Sequence, residues 1–279
     1  MQANTQIIEI MTKIKPFLKW AGNKYRCIET IITSLPAANR LIEPFAGSAA
    51  IFLNANYPDY LLAEENNDLV ALFNQVKQEG ESFIHYCEQF FSPLNNVALQ
   101  YYLLREEFNH CSEPRRRAAL FLYLNRHGYN GLCRYNQQGI YNVPFGLYIK
   151  PYFPRTEMLY FHYKSQQATF IHSDFRHTFA LATAGDVIYC DPPYAPRTQI
   201  SNFSSYTHTK FGEKEQIILA ELAMEYAARG VTVVVSNHDT EFTRHHYRYG
   251  DIHSFAVKRS ISCKGNTRLT VDELLVIFR

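Results

Sequence analysis

Asp191-Pro192-Pro193-Tyr194 combines a carboxylate, two rigid prolines and an aromatic ring directly after an apolar run at 187–190. The run is rich in β-branched and aromatic residues, which predicts a buried strand of a parallel sheet, and open α/β folds bind ligands where such strands end. Two successive prolines cannot donate to a strand ladder, so the strand stops there. An ordinary Asp-Pro turn after a strand is the alternative interpretation.

The chemistry that this segment could support is recognition of an amino group on a flat base. The Asp191 carboxylate and the free carbonyl of Pro192 offer two acceptors to one NH2 group, and Tyr194 can stack on the ring. An arylamine nitrogen is a poor nucleophile because its lone pair is delocalised into the ring, and accepting both hydrogens favours its reactive, pyramidal form. Cys190 alternates to the opposite face and has no adjacent general base, so we expect it to take no part.

Two segments nearer the N-terminus have the residue types of a nucleoside-binding site. At 43–48, Gly47 lets the backbone turn close to a ligand, and the helix that follows offers free N–H groups to an anion. Glu64 ends the next predicted strand and could accept the hydroxyl protons of a ribose, although a plain surface acid is an equally good interpretation. Trp20, the only tryptophan, could face a sulfonium through a cation–π contact, and Lys24 could hold a carboxylate.

The composition predicts a soluble globular protein, with one domain that carries a large insertion. Of the 279 residues, 47% are hydrophobic and 19% are charged. Neither a leader segment nor an apolar run long enough to span a bilayer is present, so we expect a cytoplasmic protein without a membrane anchor. The six cysteines are scattered, which favours reduced thiols. Residues 97–165 hold nine basic against four acidic side chains, an excess expected of a segment that binds a polyanion.

Strands alternate with helices at both ends of the chain, and a helical stretch at 68–128 lies between them. Strands are predicted at 40–43, 60–64, 169–172, 187–190, 231–235, 255–259 and 274–278. Flanking helices are predicted at 48–54 and 213–229. Within the helical stretch, apolar residues recur at helical spacing at 69, 72, 73 and 76, and again at 99, 102 and 103. Ser112 is predicted as an N-cap, with Pro114 in the first turn. Residues 128–155, rich in glycine, predict a long exposed loop or hairpin.

These segments resemble, in the same order, the motifs of the Dam-type DNA adenine-N6 methyltransferase family. The resemblance covers most of the chain and extends to Asn125-Arg126, Tyr129-Asn130-Gly131-Leu132, Arg134-Tyr135-Asn136, Val143-Pro144-Phe145-Gly146, 236–239 and 259–262. It implies an α/β fold in which a Rossmann-like methyltransferase sheet carries an inserted helical DNA-recognition domain. The catalytic, S-adenosylmethionine-binding domain would comprise residues 15–67 and 166–279, and the target-recognition domain residues 68–165.

The resemblance also implies the reaction and its partners. The methyl donor would be S-adenosyl-L-methionine, and the substrate would be adenine N6 in double-stranded DNA containing GATC. The mechanism would be base flipping and direct in-line attack, with positioning and desolvation supplying much of the barrier reduction. We expect a monomer that needs no metal, is not attached to a membrane and is associated with the nucleoid in the cytoplasm.

The resemblance implies a role for each residue of this sequence that matches a site residue of the family. The adenine would be held by Asp191, Pro192, Pro193 and Tyr194. The donor would be bound by Trp20, Lys24, Gly47, Glu64 and Asp191. The DNA would be contacted by Lys19, Tyr129, Asn130, Leu132, Arg134, Pro144 and Tyr148.

Physical chemistry supports several of the DNA contacts. Arg134 can pair in a bidentate manner with guanine O6 and N7, whereas Leu132 and Pro144 can pack on a thymine methyl group. Tyr129 can fill the gap left by an extruded base. The arginines at 115–117 would either contact phosphates or form a solvated helix face.

Four positions depart from the family's usual pattern. Glu64 stands where Asp is usual, Ala49 and Asn23 stand where Gly is frequent, and Leu147 stands where a basic residue is common. The longer side chain of Glu64 must pull back to reach the same ribose hydroxyls, and the Ala49 methyl group narrows the approach of a donor. None of these changes lies in the proline-containing segment, so we expect an active enzyme.

Two functions of other classes remain open. The changes around the donor pocket permit a catalytically idle DNA-binding regulator. The pairs His238-Asp239 and His245-His246 permit a metal-dependent hydrolase, although adjacent histidines on a helix diverge and rarely share a metal.

Overall fold

The computed structural model describes residues 13–194, 211–258 and 270–279. One sheet contains β1 (Arg40–Glu43), β2 (Asp59–Glu64), β3 (Ala168–His172), β4 (Val187–Cys190), β5 (Thr232–His238), β6 (Asp251–Lys258) and β7 (Thr270–Phe278). The strand order is β3-β2-β1-β4-β5-β7-β6; β1 to β5 are parallel, and β7 is antiparallel to both of its neighbours. The predicted α/β sheet is therefore confirmed.

Helices cover both faces of the sheet and fill the segment between β2 and β3. They are α1 (Ile28–Ser34), α2 (Ala50–Asn54), α3 (Asn67–Glu79), α4 (Glu81–Glu88), α5 (Ala98–His110), α6 (Pro114–His127), α7 (Arg155–Ser165), α8 (Phe175–Phe179), α9 (Glu213–Ala228) and α10 (Glu241–His246). Short 3-10 helices include Lys24–Arg26 and Tyr129–Gly131. Within the described ranges, none of the helices has the length and apolar character needed to cross a membrane.

The strand order creates a crevice at the carboxyl ends of β1 and β4. The chain runs from β1 outward to β2 and β3, then crosses back to β4 and β5 on the other side. In open parallel sheets, ligands bind where the strand order reverses in this way. Glu43 ends β1 and Asp191 follows β4 directly, so both residues lie at the crevice.

The central strands are apolar on both sides because both faces of the sheet are buried. Leu41 and Tyr189 face a core shared with α2, α3 and α7. Ile188 and Cys190 face a second core shared with α8 and α9. This alternation buries Cys190 away from Asp191, as the sequence predicts.

The predicted strands are confirmed, and their bounds differ mainly at the antiparallel edge. β1 and β4 have the predicted bounds, whereas β5 extends to His238 and β6 begins at Asp251. These extensions follow from pairing with β7, which joins His238 to Glu273 and Asp251 to Ile277. The resemblance at 259–262, like the last predicted residue of β6, Arg259, lies outside the described residues.

The apolar pattern of α3 is confirmed, but that of α5 is wrong. Leu69, Leu72, Phe73 and Val76 are buried. In α5, by contrast, the predicted apolar face of Leu99, Tyr102 and Leu103 is exposed, and the buried residues are Tyr101, Leu104 and Phe108. Both triplets have helical spacing, so the choice between them depends on tertiary packing against α6.

The predicted N-cap of α6 is also wrong. Glu113, not Ser112, caps the helix by accepting from the backbone N–H groups of Arg115 and Arg116. Pro114 explains the difference, because a residue before proline is held in an extended conformation and cannot be helical.

The three arginines of α6 bind acids of the protein rather than forming a solvated face. Arg115, Arg116 and Arg117 form ion pairs with Glu79, Glu107 and Asp68, with N–O distances of 2.7, 2.6 and 2.5 Å. Their charges are therefore already paired within the fold, where they join α6 to α3 and α5.

Candidate active site

A cavity of about 570 Å³ opens at the carboxyl ends of the parallel strands. It is lined by every residue predicted to bind the donor or the adenine, namely Trp20, Lys24, Gly47, Glu64, Asp191, Pro192, Pro193 and Tyr194. The N-terminal segment, the turn after β1, the end of β2 and the turn after β4 contribute these residues. The structure thus brings together residues that are far apart in sequence.

Asp191 is anchored through only one of its two carboxylate oxygens. Oδ1 lies 2.7 Å from Lys24 Nζ and accepts from Ser236 Oγ at 3.1 Å. Among the described residues, none donates a hydrogen bond to Oδ2. Burial raises the pKa of Asp191, and the Lys24 cation opposes that shift. The arrangement holds the carboxylate in place while leaving one oxygen open to a ligand.

Lys24 is buried beside Asp191 rather than reaching into solvent. Its ammonium also donates to the Gly22 carbonyl at 3.1 Å and lies 4.4 Å from the centroid of the Tyr194 ring. The sequence suggested that Lys24 could hold a carboxylate, and the carboxylate that it binds in the structure is that of Asp191.

The two prolines differ in the partners of their carbonyl groups. The Pro193 carbonyl accepts from Gln216 Nε2 at 2.7 Å, and Gln216 is itself buried and bonded to Asn237. No residue in the described part of the chain donates to the Pro192 carbonyl, as the sequence predicted. Pro192 O and Asp191 Oδ2 are therefore two open acceptors contributed by adjacent residues.

The turn after β1 approaches Trp20 closely at Gly47. Gly47 has φ 47°, and a Cβ at this position would lie 3.0 Å from Trp20 Nε1. The Gly47 N–H donates to Glu64 Oε2 at 3.0 Å, which joins the turn after β1 to the end of β2. Ala49 is also left-handed, at φ 59°, a conformation that glycine adopts with less strain.

Glu64 folds back against the protein, as expected for a side chain longer than Asp. Its Oε1 accepts from the Asn66 N–H at 3.2 Å, while its Oε2 binds Gly47. Burial is the main reason that the pKa of Glu64 is raised. Each carboxylate oxygen can accept more than one hydrogen bond, so both remain able to bind a hydroxyl group.

Two polar residues of the cavity were not identified from the sequence. Glu43 Oε1 and Ser48 Oγ are buried and have no hydrogen-bond partner among the residues that the structure describes, and both residues line the cavity. Burial raises the pKa of Glu43 to about 8. Their place in the segment after β1 was visible in the sequence, but their burial and lack of partners were not.

The predicted hairpin between 128 and 155 is confirmed. Antiparallel bridges join Gly128 to Phe145 and Tyr135 to Tyr141. Tyr141 and Val143 are fully buried, so the hairpin is anchored to the helices rather than exposed throughout.

The residues predicted to read the DNA lie on this hairpin and beside it. Tyr129, Asn130, Leu132 and Pro144 are exposed, and the Tyr129 N–H donates to the Pro144 carbonyl at 2.8 Å.

Lys19 reaches the same surface from the N-terminal segment, where its Nζ lies 3.7 Å from the centroid of the Tyr148 ring. Arg134 Nε donates to Asn142 Oδ1 at 2.7 Å, and its Nη2 donates to the Asn142 carbonyl at 3.1 Å. These bonds orient the guanidinium without using all of its five N–H donors.

Asn125 joins the N-terminal segment to the hairpin, a role that the sequence did not reveal. Its buried side chain accepts from the Lys19 N–H at 2.9 Å and donates to the Lys19 carbonyl at 2.7 Å. Gly131, at φ 64°, packs so closely on Lys19 that a Cβ would lie 2.2 Å from that of Lys19. The surface that carries the predicted DNA contacts is therefore fixed next to the cavity.

The side chains behind the hydrolase alternative have other partners. Asp239 binds Arg244 at 2.6 and 2.7 Å, and the His238 ring lies against Tyr194. In the ranges that the structure covers, three or more His, Cys, Asp or Glu side chains do not gather in an arrangement that could hold a metal ion. The geometry favours structural roles for Asp239 and His238.

The fold and the cavity together define a class of protein. The reversal of strand order supplies a crevice of the kind in which open α/β sheets bind ligands, and open acceptors at Asp191 and Pro192 suit an exocyclic amino group. A scan of family models matches residues 20–261 to the D12 class N6 adenine-specific DNA methyltransferases.

Related proteins show the same assignment. The chain is 46% identical over 269 residues to the DNA adenine methylases of Salmonella typhi and Escherichia coli (strain K12), which covers 96% of this chain and 97% of each relative. It is 48% identical over 270 residues to the DNA adenine methylase of Serratia marcescens, covering 96% of this chain and 100% of that protein. The chain belongs to the D12 class N6 adenine-specific DNA methyltransferase family. The predicted activity, DNA adenine-N6 methylation, is confirmed.

The contact between Gly47 and Trp20 can be tested with the single tryptophan as the reporter. Gly47→Ala should strain the backbone by about 1–2 kcal/mol and displace the indole ring, which would shift the emission maximum of intrinsic fluorescence. Gly139→Ala is a matched control, because Gly139 also has positive φ but a Cβ there meets no atom within 4 Å. An emission spectrum unchanged by Gly47→Ala would contradict the close approach.

Proposed function

We propose that the enzyme transfers a methyl group from S-adenosyl-L-methionine to adenine N6 in GATC, after flipping the adenine out of double-stranded DNA. The observation that carries this proposal is the pair of open acceptors, Asp191 Oδ2 and Pro192 O, contributed by two residues that line the cavity. They match the two hydrogens of one exocyclic amino group. The amino group of a paired adenine is engaged within the duplex, so the base must leave the helix to reach them.

The cavity fits the proposed donor in both size and chemistry. Trp20, Lys24, Gly47, Glu64 and Asp191 would hold it, with Glu64 accepting from the ribose hydroxyls. The buried oxygens of Glu43 and Ser48, which lack partners within the described part of the chain, add polar groups that suit the donor's amino group, since buried polar atoms normally have partners. When bound, the donor supplies a methyl group activated by a sulfonium.

The protein's own groups would orient the nitrogen for attack. Asp191 and the Pro192 carbonyl accept the two amino hydrogens, while Tyr194 stacks on the ring. These contacts favour the pyramidal nitrogen that develops in the transition state. Lys24 and Ser236 hold Asp191 in position, and burial excludes water from the reacting groups. No covalent intermediate with the enzyme is required.

We further propose that residues 68–165 form the target-recognition domain and that residues 15–67 and 166–279 form the catalytic domain. Because Arg115, Arg116 and Arg117 pair with acids of the fold, we assign the DNA contacts to the hairpin and to Lys19 beside it. Arg134 would read guanine, Leu132 and Pro144 would contact a thymine methyl group, and Tyr129 would fill the gap left by the flipped base. Lys19, Asn130 and Tyr148 complete the proposed DNA contacts.

Replacement of Asp191, the proposed acceptor, should impair catalysis while leaving DNA binding largely unchanged. Asp191→Ala should lower the rate of tritiated-methyl incorporation into GATC DNA by about 100-fold or more, because positioning and electrostatic stabilisation of the amino group are lost. DNA affinity, measured by fluorescence anisotropy, should change by less than about threefold, since the reading surface is separate.

Asp251→Ala, which removes an exposed carboxylate paired with Arg279, is the matched control and should keep the wild-type rate. Retained turnover in Asp191→Ala would refute the assignment of the site. Absence of incorporation by the wild-type enzyme with every DNA tested would favour the idle DNA-binding regulator.

Sequence discrimination tests the role of Arg134. Wild-type enzyme should methylate GATC in preference to duplexes changed at each base, and Arg134→Ala should relax one position by about 1–3 kcal/mol. Arg155→Ala is the matched control, because Arg155 is exposed and pairs with Glu88 in a salt bridge. Discrimination that is unchanged in Arg134→Ala would assign the reading of that base to another residue.

A further inference from the structure

The hydroxyl group of Tyr194 is bound by a carboxylate from the antiparallel part of the sheet. Tyr194 Oη donates to Glu273 Oε2 at 3.0 Å, and Glu273, in β7, is only 2% exposed. An acidic side chain is rarely this buried unless it has a specific partner. The bond fixes the ring at its far end, whereas the backbone fixes it at the near end.

The register of β7 against β5 brings Glu273 to this position. Glu273 is paired directly with His238 across the two antiparallel strands. The His238 ring meets the Tyr194 ring at a centroid distance of 4.7 Å and an interplanar angle of 77°. Two cross-strand neighbours therefore contact the same aromatic ring: Glu273 binds its hydroxyl group, and His238 packs on it in an edge-to-face arrangement.

Lys24 restricts the Tyr194 ring further. Its ammonium lies 4.4 Å from the ring centroid and 2.7 Å from Asp191 Oδ1. A swing of the ring about χ1 would therefore break the contact with Lys24 as well as the bond to Glu273. The orientation of Tyr194 is set jointly with that of the carboxylate that follows β4.

We propose that Glu273 is a positioning residue for the target adenine: it anchors the Tyr194 hydroxyl and thereby fixes the position of the ring on which the base stacks. This inference rests on the role of Tyr194 in the proposed function. Glu273 acts through Tyr194 and does not itself contact the base or the donor.

A double-mutant cycle tests the inference. Tyr194→Phe keeps the ring but removes the hydroxyl, and it should slow single-turnover methyl transfer by about tenfold, because a hydrogen bond to a charged group is lost. Glu273→Ala should cause a similar loss, and the double variant should lose no more than either single variant. Glu273→Gln, whose amide oxygen still accepts, should restore most of the rate.

Donor affinity, measured by calorimetry with S-adenosylhomocysteine, should stay within about threefold of wild type in all four variants.

Asp272→Asn is the matched control, because Asp272 is exposed on the same strand, and it should leave the rate unchanged. A wild-type rate in Tyr194→Phe, or losses that multiply in the double variant, would overturn the inference. If Glu273→Ala does not fold, the rate of Tyr194→Phe decides the question.

Tyr194→Ala tests the proposed function separately. Full activity in that variant would remove Tyr194 from the adenine site and with it the assignment of the site. An inactive Tyr194→Ala together with a fully active Tyr194→Phe would overturn only the role of Glu273.

Discussion

The ion pair between the buried Lys24 and the partly buried Asp191 is the interaction on which the site depends. An ionised carboxylate is the stronger acceptor for an amino group and has no proton of its own to donate, but burial favours its neutral form. Lys24 supplies the opposing charge at 2.7 Å, and Ser236 adds a hydrogen bond to the same oxygen. Because these partners share Oδ1, Oδ2 stays open. An unpaired charge at this depth would cost several kcal/mol, so the N-terminal segment is as necessary to the site as the strand that carries Asp191.

That N-terminal segment also links the cavity to the surface proposed to read DNA. Trp20 packs on Gly47 in the cavity wall, while its neighbour Lys19 is held by Asn125 and packs against Gly131 of the hairpin. Gly131 in turn lines the cavity. One short stretch of backbone thus sets the distance between the proposed donor pocket and the proposed contacts to the bases. In-line transfer to a flipped adenine requires that this distance be fixed.

Much of this architecture could be predicted because each parallel strand is marked by its own sequence: an apolar run predicts a buried strand, and the structure buries it in the sheet. The apolar run before Asp191 and the double proline after it indicate a buried strand and its end. Other features depend on packing that no local pattern contains. The buried face of α5 was mispredicted because two sets of residues had equal helical spacing, and only contact with α6 selects one. Likewise, nothing in the sequence near Glu273 indicates its bond to Tyr194, which arises from the register of β7 on β5.

The pH dependence of methyl transfer tests most directly whether Lys24 keeps Asp191 ionised. Burial raises the pKa of Asp191 and Lys24 lowers it, so the ionised form that the proposed mechanism uses is lost as pH falls through that pKa. In Lys24→Gln the opposing charge is gone, and the acid limb of the single-turnover rate, measured at saturating donor and DNA, should move to higher pH. An acid limb at the same pH in wild type and Lys24→Gln would contradict the account.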